Sequence, residues 1–309
     1  MRALLIDHSA PGGLRLGEAA EPETADHQAL IRVTSISLNH GEVGPELASA
    51  TEGGVHGWDA AGVVERAAAD GSGPAVGTSV VTLAMGGAWA ELRAVDAAAV
   101  GVVPPESDLG AISTVPVAGA SALRALHRLG PILGKRVLVT GATGGVGRYA
   151  VQLARLGGAH VVAATGDPDR HGADLRALGA HEVVSGSLEF TEPVNGVVDL
   201  VGGPQLVDAF ARLGPGGTLV AVGHVTGTGE NFPYGALLSD LHGHDRSIVT
   251  FQLAGCLGLA PDLTWLAARV ASGELNPQVA WRGSWRRFGD AITALRERRL
   301  HGKAVLDID

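Results

Sequence analysis

The sequence is poor in several residue types, and each shortage excludes something. It has one cysteine, Cys256, in 309 residues. A single cysteine forms no internal disulfide and no four-cysteine zinc lobe, so nothing points to an oxidising compartment. Lysine is nearly missing: Lys135 and Lys303 are the only two, and arginine supplies the other cations. The 23 Lys and Arg stand against 32 Asp and Glu, a formal charge of −9. That balance argues against a general nucleic-acid binder, which needs clustered basic charge, and against a polybasic membrane-surface protein. No apolar stretch of about 18 residues escapes interruption by Gly, Pro or charge, so no transmembrane helix is expected. The apolar run at the N-terminus is too short for a signal sequence, and Asp7 interrupts it.

What remains is a chain with 46% hydrophobic and 18% charged residues, enough for a packed core. At roughly 150 residues per domain the length suggests two domains. The expectation is a soluble, cytoplasmic, two-domain protein that binds neither nucleic acid nor membrane.

The first hundred residues read as β structure. Ala3–Ile6, Ala29–Leu38, Gly62–Glu65, Thr78–Leu83 and Trp89–Ala94 are short runs rich in Val, Ile and Leu, separated by Gly, Pro and Asp. Such spacing suggests a barrel-like β domain. From Ala118 onwards helical spacing appears, and strand and helix then alternate. Arg136–Thr140, His160–Thr165, Glu182–Val184, Val197–Val201, Thr218–Val222 and Ser247–Leu253 read as strands. Gly145–Leu156, Asp169–Leu178 and Pro204–Arg212 read as helices. This alternation predicts a doubly wound parallel sheet. Two further helices, Leu263–Ser272 and Trp285–Arg298, and a strand, Ala304–Ile308, close the chain.

The most informative stretch is Val137 to Gly147, where an apolar strand runs into Gly141-Ala142-Thr143-Gly144-Gly145-Val146-Gly147 and then an amphipathic helix. Glycines there allow a tight turn and let backbone approach a pyrophosphate, while the helix N-terminus offers N–H donors and a favourable dipole. Gly141, Gly144, Gly145 and Val146 are therefore candidate cofactor contacts. The alternative is an ordinary glycine turn in an α/β sheet.

The end of the next strand bears on which dinucleotide is bound. An acidic tip residue favours a ribose 2′-OH and disfavours a 2′-phosphate. Ala164 and Thr165 are not acidic; Thr165 can donate to a phosphate and Arg170 can pair with it. Asp167 argues the other way, and Arg170 has the alternative of a solvated first-turn residue. The side chains favour NADP(H) over NAD(H).

These motifs resemble the medium-chain dehydrogenase/reductase superfamily, and within it the zinc-free quinone-oxidoreductase, or zeta-crystallin-like, branch. Ala150-Val151-Gln152-Leu153-Ala154 follows the glycine turn as in that family. Asn39-His40-Gly41-Glu42, Gly57-Trp58-Asp59-Ala60-Ala61-Gly62, Gly87-Ala88-Trp89-Ala90-Glu91, Leu178-Gly179-Ala180 and Gly302-Lys303-Ala304-Val305-Leu306 resemble its other segments, in order, over nearly the whole chain. The resemblance implies a GroES-like catalytic domain over 1–117, a Rossmann NAD(P)-binding domain over 118–255, and a segment, 256–309, that returns to the first. It also implies a nicotinamide held in the cleft between domains, and a homodimer or homotetramer built through the Rossmann sheets.

The zinc-dependent relatives place a cysteine in the first of these segments and Gly-His-Glu in the second. This chain has Asn39 and Gly57-Trp58-Asp59 instead, and tryptophan does not ligate zinc. No metal site is expected. Neither His56, out of register, nor the His242–His244 pair, which lacks a third ligand, alters that.

Hydride transfer needs a nicotinamide held against an electron-poor atom, with water excluded. A quinone or conjugated enone suits this, because the delocalised oxyanion can be protonated afterwards. Asn39 is the candidate catalytic and cofactor-contacting residue: the resemblance places it at the cleft, and an amide can donate to a developing oxyanion. Its alternative is a structural asparagine at a strand end. His40 could protonate an enolate, but as the next residue on an extended strand it would face away. Only Tyr149 and Tyr234 are present. Tyr149 is expected to be packed and Tyr234 to lie in a loop, which disfavours an enoyl-thioester reductase with a tyrosine acid. The carboxyl ends of parallel strands add Val201, Gly223 and Phe251 as candidate cofactor contacts; a core position is the alternative for Phe251. Tryptophans 58, 89, 281 and 285 are core residues or the wall of a flat-ring pocket.

The leading expectation is a zinc-independent, NADPH-dependent reductase of a quinone or α,β-unsaturated carbonyl. The alternative is a protein that binds NADP(H) without turnover, as a redox sensor or structural protein.

Overall fold

A computed structural model describes residues 1–238 and 243–309. In chain order the first stretch contains β1 (Arg2–Ile6), β2 (Leu14–Glu18), β3 (Gln28–Leu38), α1 (His40–Val43) and α2 (Pro45–Ser49). It continues through β4 (Asp59–Arg66), β5 (Ser79–Leu83), β6 (Leu92–Asp96), β7 (Val100–Val102) and α3 (Leu109–Ile112). A π turn, Val115–Gly119, leads into α4 (Ala120–Arg128). The alternating stretch follows: β8 (Arg136–Val139), α5 (Gly145–Leu156), β9 (His160–Thr165), α6 (Pro168–Ala177) and β10 (Glu182–Ser185). It ends with β11 (Val194–Asp199), α7 (Pro204–Ala211), β12 (Leu213–Ala221) and β13 (Ser247–Thr250). Last come α8 (Ala260–Ala271), β14 (Val279–Ser284), α9 (Phe288–Arg296) and β15 (Lys303–Asp307).

The chain divides into two compact units, Met1–Ala120 with Ala254–Asp309, and Ser121–Leu253. The second unit carries a parallel sheet in the order β10-β9-β8-β11-β12-β13. Renumbered within the unit this is 3-2-1-4-5-6, the doubly wound Rossmann order, which reverses between β8 and β11. The central strands are apolar on both faces because helices cover both; Val137, Leu138, Val139, Val197 and Val198 are all fully or almost fully buried.

The first unit is a GroES-like β domain. Its sheet runs β14-β15-β3-β4-β5-β7, with β6 also pairing β3, and β1–β2 form a separate antiparallel pair. β3 is its hub: eleven residues long, it pairs β4, β6 and β15. A core of Ile6, Ile36, Leu38, Trp89, Trp285 and Leu306 lies on one side of it. Gly101 lets α8 lie against β7, since a Cβ there would meet the Leu263 side chain at 2.5 Å.

Several expected boundaries shift for identifiable reasons. Trp89 precedes its strand, which runs Leu92–Asp96. It is held instead by a bridge between Ala3 and Ala90, with its indole fully buried. The expected helix Trp285–Arg298 splits: Ser284 caps a 3-10 turn over Trp285–Arg287, and α9 begins at Phe288. The strand expected at Thr218 begins at Leu213, running through Gly214-Pro215-Gly216-Gly217 despite their turn chemistry. Strands β2, β7 and β14 and the short helices α1 and α2 carry too little periodicity to be anticipated.

Candidate functional site

In the second unit the β8–α5 turn forms a cradle. Gly141 adopts φ +57°, open to glycine without strain. Gly144 is the N-cap of α5 and donates its N–H to Gly141 O at 3.0 Å, while Gly145 and Val146 open the helix. Gly147 sets how close helix and turn lie: a Cβ there would come within 2.4 Å of Gly141 O and 2.7 Å of Ala142 Cα. No side chain caps α5, so its N-terminus presents backbone N–H groups to an anion. Gly141, Gly144, Gly145 and Val146 thus lie together at an uncapped helix N-terminus.

Beside this turn, at the reversal of strand order, Thr140 and Asp199 meet. The Thr140 hydroxyl donates to Asp199 at 2.6 Å and accepts from the Leu200 N–H, and Asp199 also accepts from the Gly202 N–H at 2.9 Å. Burial raises the Asp199 carboxyl above its ordinary value. The pair fixes the ends of β8 and β11. Val201 lies just past it, its carbonyl accepting from Thr226. Gly223 follows β12, its N–H on Asp199 O, and a Cβ there would press on Leu200 O at 2.7 Å. Phe251 follows β13, half-buried, with the Arg128 guanidinium 4.6 Å from its ring centre. All three lie at the carboxyl ends of their strands.

At the tip of β9, Thr165 and Arg170 differ in exposure. Thr165 is only 4% exposed, and its hydroxyl faces the Asp167 N–H. Arg170 is exposed, and among the described residues no carboxylate forms an ion pair with it. Asp167 is the N-cap of α6, its carboxylate accepting from the Arg170 N–H at 3.0 Å. Its charge is thus partly satisfied by the helix it starts.

The first unit holds a buried polar cluster that the sequence did not reveal. Asn39 ends β3 and caps α1, with the Glu42 carboxylate accepting from its backbone N–H at 2.7 Å. Its Nδ2 donates to Glu42 at 2.9 Å and to Asp59 at 2.8 Å, and its Oδ1 accepts from Lys303 Nζ at 2.5 Å. Lys303 also donates to Leu38 O at 2.9 Å. Asp59 accepts from the Ser37 hydroxyl at 2.7 Å and the Val117 N–H at 2.9 Å, and Glu42 from the Trp58 N–H. Burial, then the neighbouring Asp59 charge, pushes Glu42 up to about 8, with Lys303 pulling against them. Burial also raises Asp59 and lowers Lys303.

This geometry revises the role expected of Asn39. Both amide hydrogens are engaged by carboxylates, so the side chain has no donor left for a substrate oxyanion. His40 differs as well: the chain leaves the strand at Leu38, so His40 opens a helix and is exposed. Of the signals available, Lys303 was one of only two lysines, and Glu42 and Asp59 sat in quoted motifs. Nothing local joined them. Tyr149 is fully buried in α5 and Tyr234 fully exposed. Trp89 and Trp285 are core, while Trp58 and Trp281 are half-buried.

Asn39 and Asp59 are tied into the cluster, Trp58 offers no ligand, and His56 packs its ring against Trp89 at 5.2 Å. Among the described residues no group of three His, Cys, Asp or Glu side chains could hold a metal ion, and no helix is long and apolar enough to cross a membrane. His242 lies outside the described residues.

Comparison with known proteins adds to this geometry. The sequence profile of the zinc-binding dehydrogenase family matches residues 145–267. Polyketide synthase GfsB of Streptomyces halstedii is 32% identical over 298 residues, 94% of this chain but 5% of that protein. Acryloyl-coenzyme A reductase of Metallosphaera sedula is 35% identical over 231 residues, 71% of this chain and 65% of the other. The chain thus spans less than two thirds of either relative. The quinone oxidoreductase structure from Coxiella burnetii superposes with a TM-score of 0.84 at 23% identity, covering 100% of this chain and 99% of that one. The chain is thus similar to zinc-binding dehydrogenases over residues 145–267 and shares the fold of the Coxiella quinone oxidoreductase.

Proposed function

We propose that this chain is a zinc-independent, NADPH-dependent reductase that transfers hydride to a quinone or an α,β-unsaturated carbonyl. The observation that carries the reading is the β8–α5 cradle, where Gly141, Gly144 and Gly147 bring bare backbone and an uncapped helix N-terminus together. The relatives' names supply the substrate class: quinones and acryloyl-coenzyme A are electron-poor and conjugated.

A bound nicotinamide supplies the hydride. The protein's part is to bind and orient. The α5 N-terminus and Gly144–Val146 backbone hold the pyrophosphate, and Thr140 with Asp199 keeps the strand ends in place. Val201, Gly223 and Phe251 form the remaining cofactor wall. Arg170, exposed and without an ion pair among the described residues, is available to a 2′-phosphate, and Asp167 is occupied in capping α6; both support NADP(H) over NAD(H). Asn39 acts as a positioning residue, held by Lys303, Glu42 and Asp59. Zinc independence rests on the donor set, in which Asn39 and Trp58 stand where ligands would be needed.

A homodimer or homotetramer is part of the same reading, since β13 is an edge strand with Ile248 partly exposed. So is a cytoplasmic location, with which the single Cys256 is compatible.

The test is titration with NADPH and NADH, read by energy transfer from tryptophan to bound nicotinamide, then turnover with quinones and enones. Tight NADPH binding with turnover is expected. Binding without turnover on any of these acceptors would favour a redox sensor, and no binding by folded protein would sink both.

A further inference from the structure

The first unit carries a groove of about 550 Å³ beside α9, lined by none of the residues assigned above to the cofactor or to the buried cluster. Its size lies within the range of small-molecule sites. The sequence around it is unlike the rest of the chain. Between positions 282 and 299 stand Arg282, Arg286, Arg287, Arg296, Arg298 and Arg299, against only Asp290 and Glu297. In a protein of formal charge −9 this is a concentrated basic segment.

Most of these arginines are answered locally. Arg282 pairs with Asp108 and Asp307, Arg286 with Asp309, Arg287 with Asp290 and Arg299 with Glu297. Arg296 is different. Its Nε donates to Val43 O at 2.7 Å, and among the described residues no carboxylate pairs with it. The backbone bond fixes the guanidinium while leaving its outer N–H groups open, a fork suited to two oxygens of one anion. Arg287 and Arg299 line the same groove and reinforce its sign, with Asp290 the one acid in the lining. The other side is apolar and aromatic. Trp281 and Phe288 are half-buried members of the rim of the main core, so their rings are held in place.

We propose that this groove binds a small organic anion, with a carboxylate or phosphate head on Arg296 and a planar apolar body against Trp281 and Phe288. The inference does not depend on the reductase reading.

The test uses the whole chain with 2-naphthoate, 2-naphthyl phosphate and the neutral 2-naphthamide, measured by calorimetry. At least one naphthyl anion is expected to bind about tenfold or more tightly than the amide, as loss of a charge-assisted pair predicts. The stronger anion identifies the head group. Arg296→Gln should abolish that preference. Because Arg296 also ties α9 to α1, Thr293→Glu is the second variant: it places a carboxylate in the groove one turn from Arg296 and leaves the Val43 bond intact. It too should abolish anion binding, with an unchanged melting temperature. Binding that survives Thr293→Glu in folded protein, or equal affinity for anion and amide, would overturn the proposal. So would no binding of either anion.

Discussion

Lys303 donates to the amide oxygen of Asn39 at 2.5 Å across 264 residues of sequence, joining the start of β15 to the end of β3. The ammonium is 3% exposed and has Asp59 at 3.5 Å. Asn39 is oriented by three ionisable side chains at once, with Glu42 and Asp59 taking its amide hydrogens.

Lys303→Met therefore leaves two buried carboxylates facing each other without their cation. Breaking a buried pair from one side costs about 3–5 kcal/mol. Urea unfolding should show a loss of that order, and a loss under about 1 kcal/mol would mean that the cluster is looser than its geometry.

Glu42 gives the protein a pH dependence with a definite sign. Its carboxyl is raised from 4.5 to about 8 in the folded state, mainly by burial. The folded form then holds a proton that the unfolded form has released, so stability declines as pH rises from about 4.5 towards 8. Asp59, raised by burial, acts in the same direction; Lys303, lowered by burial, acts oppositely below its ordinary value. Comparing the wild type with Glu42→Gln isolates the first contribution. The variant should show a shallower fall in urea midpoint across that interval, and parallel curves would remove Glu42 from the account.

Gly147→Ala tests the cradle. The added methyl would lie 2.4 Å from Gly141 O and 2.7 Å from Ala142 Cα, both backbone atoms with little freedom to yield. Helix and turn must separate, and NADPH affinity should fall by about tenfold or more. Tryptophan-to-nicotinamide energy transfer measures this, with circular dichroism to check that the sheet is retained.

Arg170→Ala addresses the choice of dinucleotide. Removing one charged partner of a phosphate should cost about tenfold in NADPH affinity and leave NADH nearly unchanged. An equal effect on both would make Arg170 a solvated helix residue, and a gain in NADPH binding from Asp167→Asn alone would put the discrimination in that carboxylate.

Much of the second unit was legible before any coordinates. The helix Gly145–Leu156 and the strand His160–Thr165 have the boundaries that periodicity predicts. Each signal there is local: an apolar run, a glycine turn, helical spacing of small and branched residues. The β domain was less legible. Strands as short as Val100–Val102 have no period to read and exist because a neighbouring strand pairs with them.

The sequence by itself determined the class of fold, the place of the glycine turn and the absence of the usual zinc ligands, because each depends on residues adjacent in the chain. Tertiary structure decided what Asn39 is. Read alone, it is either an amide that meets a developing oxyanion or a structural asparagine at a strand end. In the fold it is held by Lys303, Asp59 and Glu42, two of them distant in sequence. Buried donors and acceptors must find partners wherever the packing brings them, and that pairing is fixed by strand register across the sheet rather than by any local pattern.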